Sequence, residues 1–162
     1  MPTGTYVLDS AILTYHVEYI TKSISGVSKD ARGKGVCAST CRFIVAAPVK
    51  SFISKDGNRD ENMISTLSGA RYSLVQADIT LPREFAGDTL TGWFEIKLAG
   101  QAKAYADVPI TITSTNGERY SVRGTIPFRL SDFGIERPAL LLVRIDDLVP
   151  VDFQATWILQ KP

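Results

Sequence analysis

The sequence predicts an all-β fold, an antiparallel barrel of eight strands with one short helix capping its mouth. Apolar and polar residues alternate with period two along about eight segments, and short turns join most of them. Only one segment has the apolar spacing of a helix. Eight strands joined in this way are typical of a barrel or a sandwich. The segments between Leu90 and Leu130 are about ten residues long, and strands of that length favour an up-and-down barrel.

Composition predicts a single globular domain that spans residues 1–162 and has a sizeable core. The chain has 162 residues, 44% of them hydrophobic, and a net charge of +1 from 18 basic and 17 acidic side chains. That charge balance excludes the basic surface by which proteins bind nucleic acid or anionic membranes. No apolar run approaches the roughly 20 residues of a membrane-spanning helix, and the first ten residues lack the pattern of a signal peptide. We expect a cytoplasmic protein, or an exported one whose leader has been removed.

The first half of the chain contains strands on both sides of a polar segment. A strand around Tyr15 has its apolar residues on one face and His16 on the wetter face. Residues 21–34 are rich in Gly, Ser and Lys, and they predict a loop or an irregular edge strand. Residues 38–40 then form a three-residue turn that leads into a strand from Arg42.

The second half is more regular. A strand from Leu90 ends at Gly100, the next begins at Val108, and Asn116-Gly117 is a strong hairpin signal before the strand from Tyr120 to Leu130. A long last strand contains Phe153 and Trp157 on its apolar face.

The predicted helix runs from Asn58 to Leu67 and forms a lid over the barrel. Asn58 is the expected N-cap, with Glu61 three residues later in a capping box, and Gly69 ends the helix. Met63, Ile64 and Leu67 share its apolar face and should point towards the barrel interior. Lys55 and Arg59, beside the helix N-terminus, are the expected site for an anionic or carbonyl headgroup.

Cys37 and Cys41 flank the first predicted turn, where their Cα atoms should approach within the roughly 4.4 to 6.8 Å that a disulfide requires. The alternative is two independent strand cysteines, and the redox compartment decides between them. We expect no metal site, because one histidine and two cysteines supply at most three such ligands and no motif places His16 near the cysteines.

The catalytic motifs that the sequence contains are incomplete. Asp132-Phe133-Gly134 spells a kinase triplet, but no phosphate-binding loop or catalytic loop accompanies it. There is no Gly-x-Ser-x-Gly elbow, and His16 lies on the wrong face to serve an interior serine. The inward faces carry almost no charge, so an open interior would hold an apolar ligand.

Five stretches of the sequence resemble the YceI-like family of polyisoprenoid-binding proteins. They are PVKSF, GNRDENM, LTGWFEIKLAGQAK, VPITIT and SDFGIERP, and the resemblance extends from Gly4 to Trp157. The family commonly has histidine where Asn62 and Ala99 stand here. The resemblance implies a lipocalin-like extended barrel with a long apolar tunnel, isoprenoid or related lipid ligands, frequent dimers and export to the periplasm.

We therefore expect a protein that binds, sequesters or transports a long-chain isoprenoid or similar lipid, and that is not an enzyme. No cofactor is expected other than a bound lipid or quinone. The expected ligand-binding residues are Tyr15, Val17, Phe43, Val45, Lys55, Arg59, Met63, Ile64, Leu67, Phe94, Ile96, Ile110, Ile112, Val122, Ile126, Phe128, Phe153 and Trp157. The alternative is an enzyme acting on an apolar substrate, with Asp60, Glu61 or Asp132 as acid or base. A third reading is a solid-cored structural domain.

Overall fold

The barrel is a closed antiparallel sheet. The computed structural model describes residues 1–19, 22–69, 71–137, 139–140 and 143–161, with backbone only at 19, 139–140 and 143–144. The strands are β1 Gly4–Tyr19, β2 Lys22–Ser28, β3 Arg32–Cys37, β4 Thr40–Pro48, β5 Leu74–Pro82, β6 Thr89–Leu98, β7 Gln101–Ser114, β8 Arg119–Arg129, β9 Ala139–Leu140, β10 Val143–Arg144 and β11 Leu148–Leu159. The helix α1 is Gly57–Thr66, and 3-10 turns occupy Val49–Ser51 and Leu130–Phe133.

Hydrogen bonding joins the main strands in the order β11-β8-β7-β6-β5-β4-β3-β1-β2, and pairing of β11 with β1 closes the ring. Eight strands form the closed barrel. On one edge of β1, residues 4–7 pair with β3 and residues 13–19 pair with β2, so β2 and β3 share a single position in the ring. The predicted fold class is confirmed. Ile20 and Thr21, at the end of the first predicted strand, and Pro138, at the end of SDFGIERP, lie outside the described residues.

Several predicted boundaries were wrong. β1 begins at Gly4, well before the alternating segment around Tyr15 that predicted it. Residues 21–34 do not form one loop, since most of them belong to β2 and β3. The first turn has two residues, 38–39, because Thr40 already pairs in β4. β7 begins at Gln101 and not at Val108, so Ala99 and Gly100, both with positive φ, form a tight turn directly after β6.

The two ends of the barrel differ. At the end where β4 finishes and β5 starts, α1 crosses the opening, and we call this the helix end. At the opposite end, a group of aromatic side chains that we call the floor packs across the lumen: Tyr6, Phe43, Tyr120 and Trp157. The Tyr6 hydroxyl donates to the carbonyl of Pro2 at 2.7 Å, and burial raises the pKa of Tyr6 to about 12. The floor is therefore a packed, hydrogen-bonded closure.

The Cys37–Cys41 disulfide lies beside the floor. The two residues face each other as the last pair of the β3–β4 hairpin, with their Cα atoms 4.0 Å apart, slightly closer than the range we had expected. Both cysteines are buried, so the bond belongs to the core at this end of the barrel.

Candidate functional site

The barrel encloses a cavity of about 590 Å³ between the floor and α1. Its volume lies within the roughly 300 to 1,000 Å³ typical of small-molecule sites. The described residues that line it are mostly aliphatic or aromatic, and Arg59 is the one charged side chain among them. An apolar cavity of this size stays dry or takes up an apolar ligand, because water there would find too few polar partners. The interior is therefore open, unlike that of a solid-cored domain.

Glycines in the wall leave room for large rings at the edge of the cavity. Gly26 on β2 lies against the ring of Tyr15, and Gly35 on β3 lies against the ring of Phe43. A β carbon on Gly33, also on β3, would lie 2.9 Å from Cη2 of Trp157. These three rings pack into the wall at positions where any other residue would push them into the lumen.

The polar groups of the cavity are gathered at the helix end. Arg59, Asn62 and Thr66 line the cavity from one face of α1 together with Met63 and Leu67, at the spacing that places residues on one side of a helix. Ser65 of α1 and Gln76 at the start of β5 add two more polar side chains. No residue of α1 is fully buried, so the helix covers the opening without plugging it.

Tyr15 connects this polar end to the barrel wall. Burial raises the pKa of its hydroxyl, and the nearby Asp60 carboxylate adds to the rise, whereas Ser54 and Arg59 act in the opposite direction. Its ring packs 6.0 Å from that of Phe52. The hydroxyl therefore stays neutral at physiological pH, beside the groups that begin α1.

The start of α1 corrects the predicted headgroup site. The N-cap is Asp56 and not Asn58, and its carboxylate accepts from the Arg59 backbone N–H at 3.1 Å. Glu61 is thus too far along the helix for a capping box. Because the Asp56 carboxylate already caps the helix N-terminus, this end provides little further stabilisation for a second anion. Lys55 is exposed, has a positive φ and does not line the cavity.

The end of α1 also differs from the prediction. The left-handed residue that stops the helix is Ser68, with φ of 54°, and Gly69 follows it, donating its N–H to the carbonyl of Ile64 at 2.7 Å. The side chain of Ile64 lies against Gly69 and does not line the cavity, contrary to the prediction.

Fifteen of the eighteen predicted ligand-binding residues line the cavity, and Lys55, Ile64 and Ile112 do not. Ile112 is buried in the barrel core without contributing to the cavity wall. The fifteen are Tyr15, Val17, Phe43, Val45, Arg59, Met63, Leu67, Phe94, Ile96, Ile110, Val122, Ile126, Phe128, Phe153 and Trp157. The polar lining by Asn62, Ser65, Thr66 and Gln76 is not predicted from the sequence. The helical spacing of Arg59, Asn62, Met63 and Thr66 would have identified part of it.

The carboxylates proposed as acid or base do not line the cavity. Asp60 accepts from the backbone N–H and the hydroxyl of Ser54, at 3.1 and 2.6 Å. Asp132 accepts from the Tyr105 hydroxyl at 2.8 Å, and Glu61 is exposed. Within the described ranges no three His, Cys, Asp or Glu side chains are placed to hold a metal ion. No helix in that part of the chain is long and apolar enough to cross a membrane.

Comparison with solved structures finds the same architecture in bacterial proteins. A polyisoprenoid-binding domain from Saccharophagus degradans, implicated in plant cell wall breakdown, superposes with a TM-score of 0.79 at 16% identity, over 96% of this chain and 98% of that one. Burkholderia cenocepacia BcnA gives a TM-score of 0.74 at 14% identity, over 90% and 95%. The Campylobacter jejuni YceI protein gives 0.69 at 14% identity, over 90% of each chain.

Neither a scan of protein-family models nor a search of curated proteins finds a match to this sequence. The similarity therefore lies in the three-dimensional structure, where it covers nearly the whole chain. The superpositions, which cover 90% or more of this chain at TM-scores of 0.69 to 0.79, show that it has a YceI-like fold.

Proposed function

We propose that this protein binds a long-chain isoprenoid or similar amphiphilic lipid in the barrel, and so sequesters or carries it through water. The observation that carries the proposal is the barrel cavity of about 590 Å³, whose lining is apolar except at the helix end. A lipid has the same division, with a long apolar chain and one polar end. The similarity of fold to a polyisoprenoid-binding domain supports the same ligand class.

The energetics require a long chain. Each methylene group removed from water contributes about 0.8 kcal/mol. A chain of roughly a dozen carbons then gains about 10 kcal/mol, which is comparable with the 4 to 15 kcal/mol that association itself costs. Short apolar molecules gain too little to be retained, so the cavity selects long chains.

The polar end favours a small headgroup with little or no charge. Asn62, Ser65, Thr66 and Gln76 offer hydroxyl and amide groups, and Arg59 supplies one cation at 3.6 Å from the Asp56 carboxylate. Hydroxyl, carbonyl and single carboxylate headgroups match these groups better than a pyrophosphate does, because Asp56 and Asp60 stand beside the same opening. On this proposal the head lies under α1 and the tail points to the floor.

The disulfide supports placement in an oxidising compartment such as the periplasm, because such bonds seldom persist in a reducing cytosol.

Two measurements test the proposal. Organic extraction and mass spectrometry of the purified protein should recover a long-chain lipid, and the emptied protein should bind cis-parinaric acid, a fluorescent long-chain fatty acid. Val45→Trp fills the cavity and should abolish binding of the probe, whereas Ile44→Trp alters the exposed neighbour on the outer face and should leave binding intact. Equal binding by both variants, or no binding by the wild-type protein, would contradict the proposal.

A further inference from the structure

The barrel wall has an incomplete seam between β7 and β8. Their ladder covers the five pairs from Ile110↔Gly124 to Ser114↔Tyr120. Both strands continue past Ile110 and Gly124 towards the helix end, as residues 101–109 of β7 and 125–129 of β8, with no ladder pairs between these stretches. On its other side β7 remains paired with β6 as far as Gln101.

Proline explains why the ladder stops there. Pro109 directly precedes Ile110, which is the paired residue of β7 nearest the helix end in this ladder, and Pro109 has no N–H to donate. Pro127 on β8 stands opposite Pro150 of β11, and two prolines cannot form a hydrogen-bonded pair. The polar groups of Pro127 therefore face β7, where its donor is missing. Asp107, with φ of 56°, further interrupts β7 along this stretch.

Side chains close the seam near the helix end. The rings of Tyr105, Phe128 and Phe133 pack within 5.7 to 6.5 Å of one another, and the Tyr105 hydroxyl donates to Asp132 at 2.8 Å. The same hydroxyl accepts from the backbone N–H of Arg129 at 3.5 Å, which satisfies one donor left without a ladder partner. This part of the seam is packed and hydrogen-bonded.

The seam is thinner at Gly124. This residue has no side chain, and a β carbon there would lie 2.6 Å from Cζ of Phe153 and 2.7 Å from the carbonyl oxygen of Pro109, so one ring and one backbone group cover it. Outside the barrel at the same level is an open groove of about 650 Å³. Its lining combines apolar residues such as Ile12, Leu90 and Pro109 with polar ones such as Thr111, Arg123 and Asp152. Ile110 and Phe153 line both the inner cavity and this groove. The cavity and the groove therefore adjoin at the level where the β7–β8 ladder ends, at the pair Ile110↔Gly124.

We propose that this seam is a side entrance, through which the hydrocarbon chain of a lipid passes over Gly124 between the outer groove and the cavity when the Phe153 ring moves aside. This inference rests on the proposed lipid-binding function. The occupant of the groove is the chain of the same lipid, because Ile110 and Phe153 border both the groove and the lipid cavity. The helix α1 covers the helix end of the barrel. On this proposal it need not move for lipid to enter or leave.

Release kinetics test the entrance separately from binding. Protein loaded with cis-parinaric acid is mixed with excess oleic acid, and the loss of fluorescence gives the release rate. Phe153→Leu should speed release about three- to tenfold, since an aromatic contact closes the entrance. Trp93→Leu is the matched control, because it removes a partly exposed ring of β6 that lines neither the cavity nor the groove, and it should leave the release rate unchanged. Equal acceleration by both variants overturns the side entrance.

A second pair approaches the seam from outside. Thr111→Trp places a large ring in the groove and should slow release, while Thr113→Trp lies two residues along the same outer face, beyond the groove, and should not. If both release at the wild-type rate, the lipid leaves by another path. A wild-type protein that binds no probe overturns the proposed function and the entrance together, whereas normal binding with unaltered release overturns the entrance alone.

Discussion

His16 on β1 and Asp152 on β11 join the two strands that close the barrel, with Nε2 of the histidine 2.8 Å from Oδ2 of the aspartate. Oδ1 of the same carboxylate accepts from the Thr125 hydroxyl at 2.6 Å, so Asp152 connects three neighbouring strands on the outer surface. His16 is thus a structural residue at the β1–β11 junction that closes the barrel, on the outer face where the sequence predicted it.

These contacts make the free energy of unfolding depend on pH in the acidic range. The Thr125 hydrogen bond, followed by His16, lowers the pKa of Asp152 below its usual 3.8. A lowered folded-state pKa contributes stability that is present above pH 3.8 and is lost as the pH falls below it. We expect Asp152→Asn to lower the free energy of unfolding by about 0.2 to 1 kcal/mol at pH 7, the range for exposed pairs, and by less at pH 2.5. Urea unfolding at both pH values checks this, and an equal loss at the two would contradict it.

The disulfide closes a very short loop, so its effect on stability should be small. The chain-entropy relation gives about 2 kcal/mol for a loop of this length. Replacing both Cys37 and Cys41 with Ala should therefore lower the free energy of unfolding by about that amount while leaving the barrel folded. Circular dichroism during chemical unfolding measures the change. Two free thiols in denatured, unreduced protein from an oxidising compartment would show that the bond does not form.

Met63 and Ile64 provide a matched pair on α1, because neighbouring residues face different directions. Met63 lines the cavity and Ile64 does not. Met63→Asp places a carboxylate against the lipid chain and should weaken binding of cis-parinaric acid at least about tenfold. Ile64→Asp introduces the same charge one residue away and should leave binding near the wild-type value. A comparable loss of binding in both variants would indicate that α1 supports binding only through its folded structure and not through the Met63 side chain.

Substitutions of Arg59 and Lys55 distinguish a role in headgroup binding from a general effect of positive charge. Arg59 lines the cavity at the helix end, whereas Lys55 does not. Arg59→Ala should weaken binding of a fatty acid about three- to tenfold, less than the roughly 1.5 to 3 kcal/mol of a hydrogen bond to a charged group, because the side chain is 41% exposed. Binding of the matching fatty alcohol should change little, and Lys55→Ala should affect neither ligand. Competition against the fluorescent probe gives all of these affinities, and a loss for acid and alcohol alike would exclude a charge-specific contact.

Alternation of apolar residues was enough to predict the barrel, because a strand with one face on the lumen repeats its pattern every two residues. The same pattern identified Phe94, Ile96, Ile126 and Phe128 as lining. It missed the first half of β7, residues 101–107, where every residue but Tyr105 is exposed. That stretch has no ladder partner on the β8 side, so nothing requires it to present an apolar face.

The helix boundaries depended on competition between neighbouring polar residues. Asn58 and Asp56 are both good N-caps, and only the three-dimensional turn at Lys55 decides that Asp56 takes the position. The lining by Asn62 and Gln76 was harder to predict, because it depends on how α1 lies across the opening. Such tertiary placement leaves no local signal in the sequence.

The glycines of β2 and β3 determine the capacity of the barrel. At Gly26, Gly33 and Gly35 the rings of Tyr15, Trp157 and Phe43 occupy wall space that a side chain would otherwise fill. Ring volume is thus accommodated in the wall, and the lumen stays empty even though its lining is rich in aromatics. The length of chain that a barrel of this kind can hold is therefore set by residues that lie behind those rings, and a change from glycine to alanine there would shorten the accepted chain without altering any lining side chain.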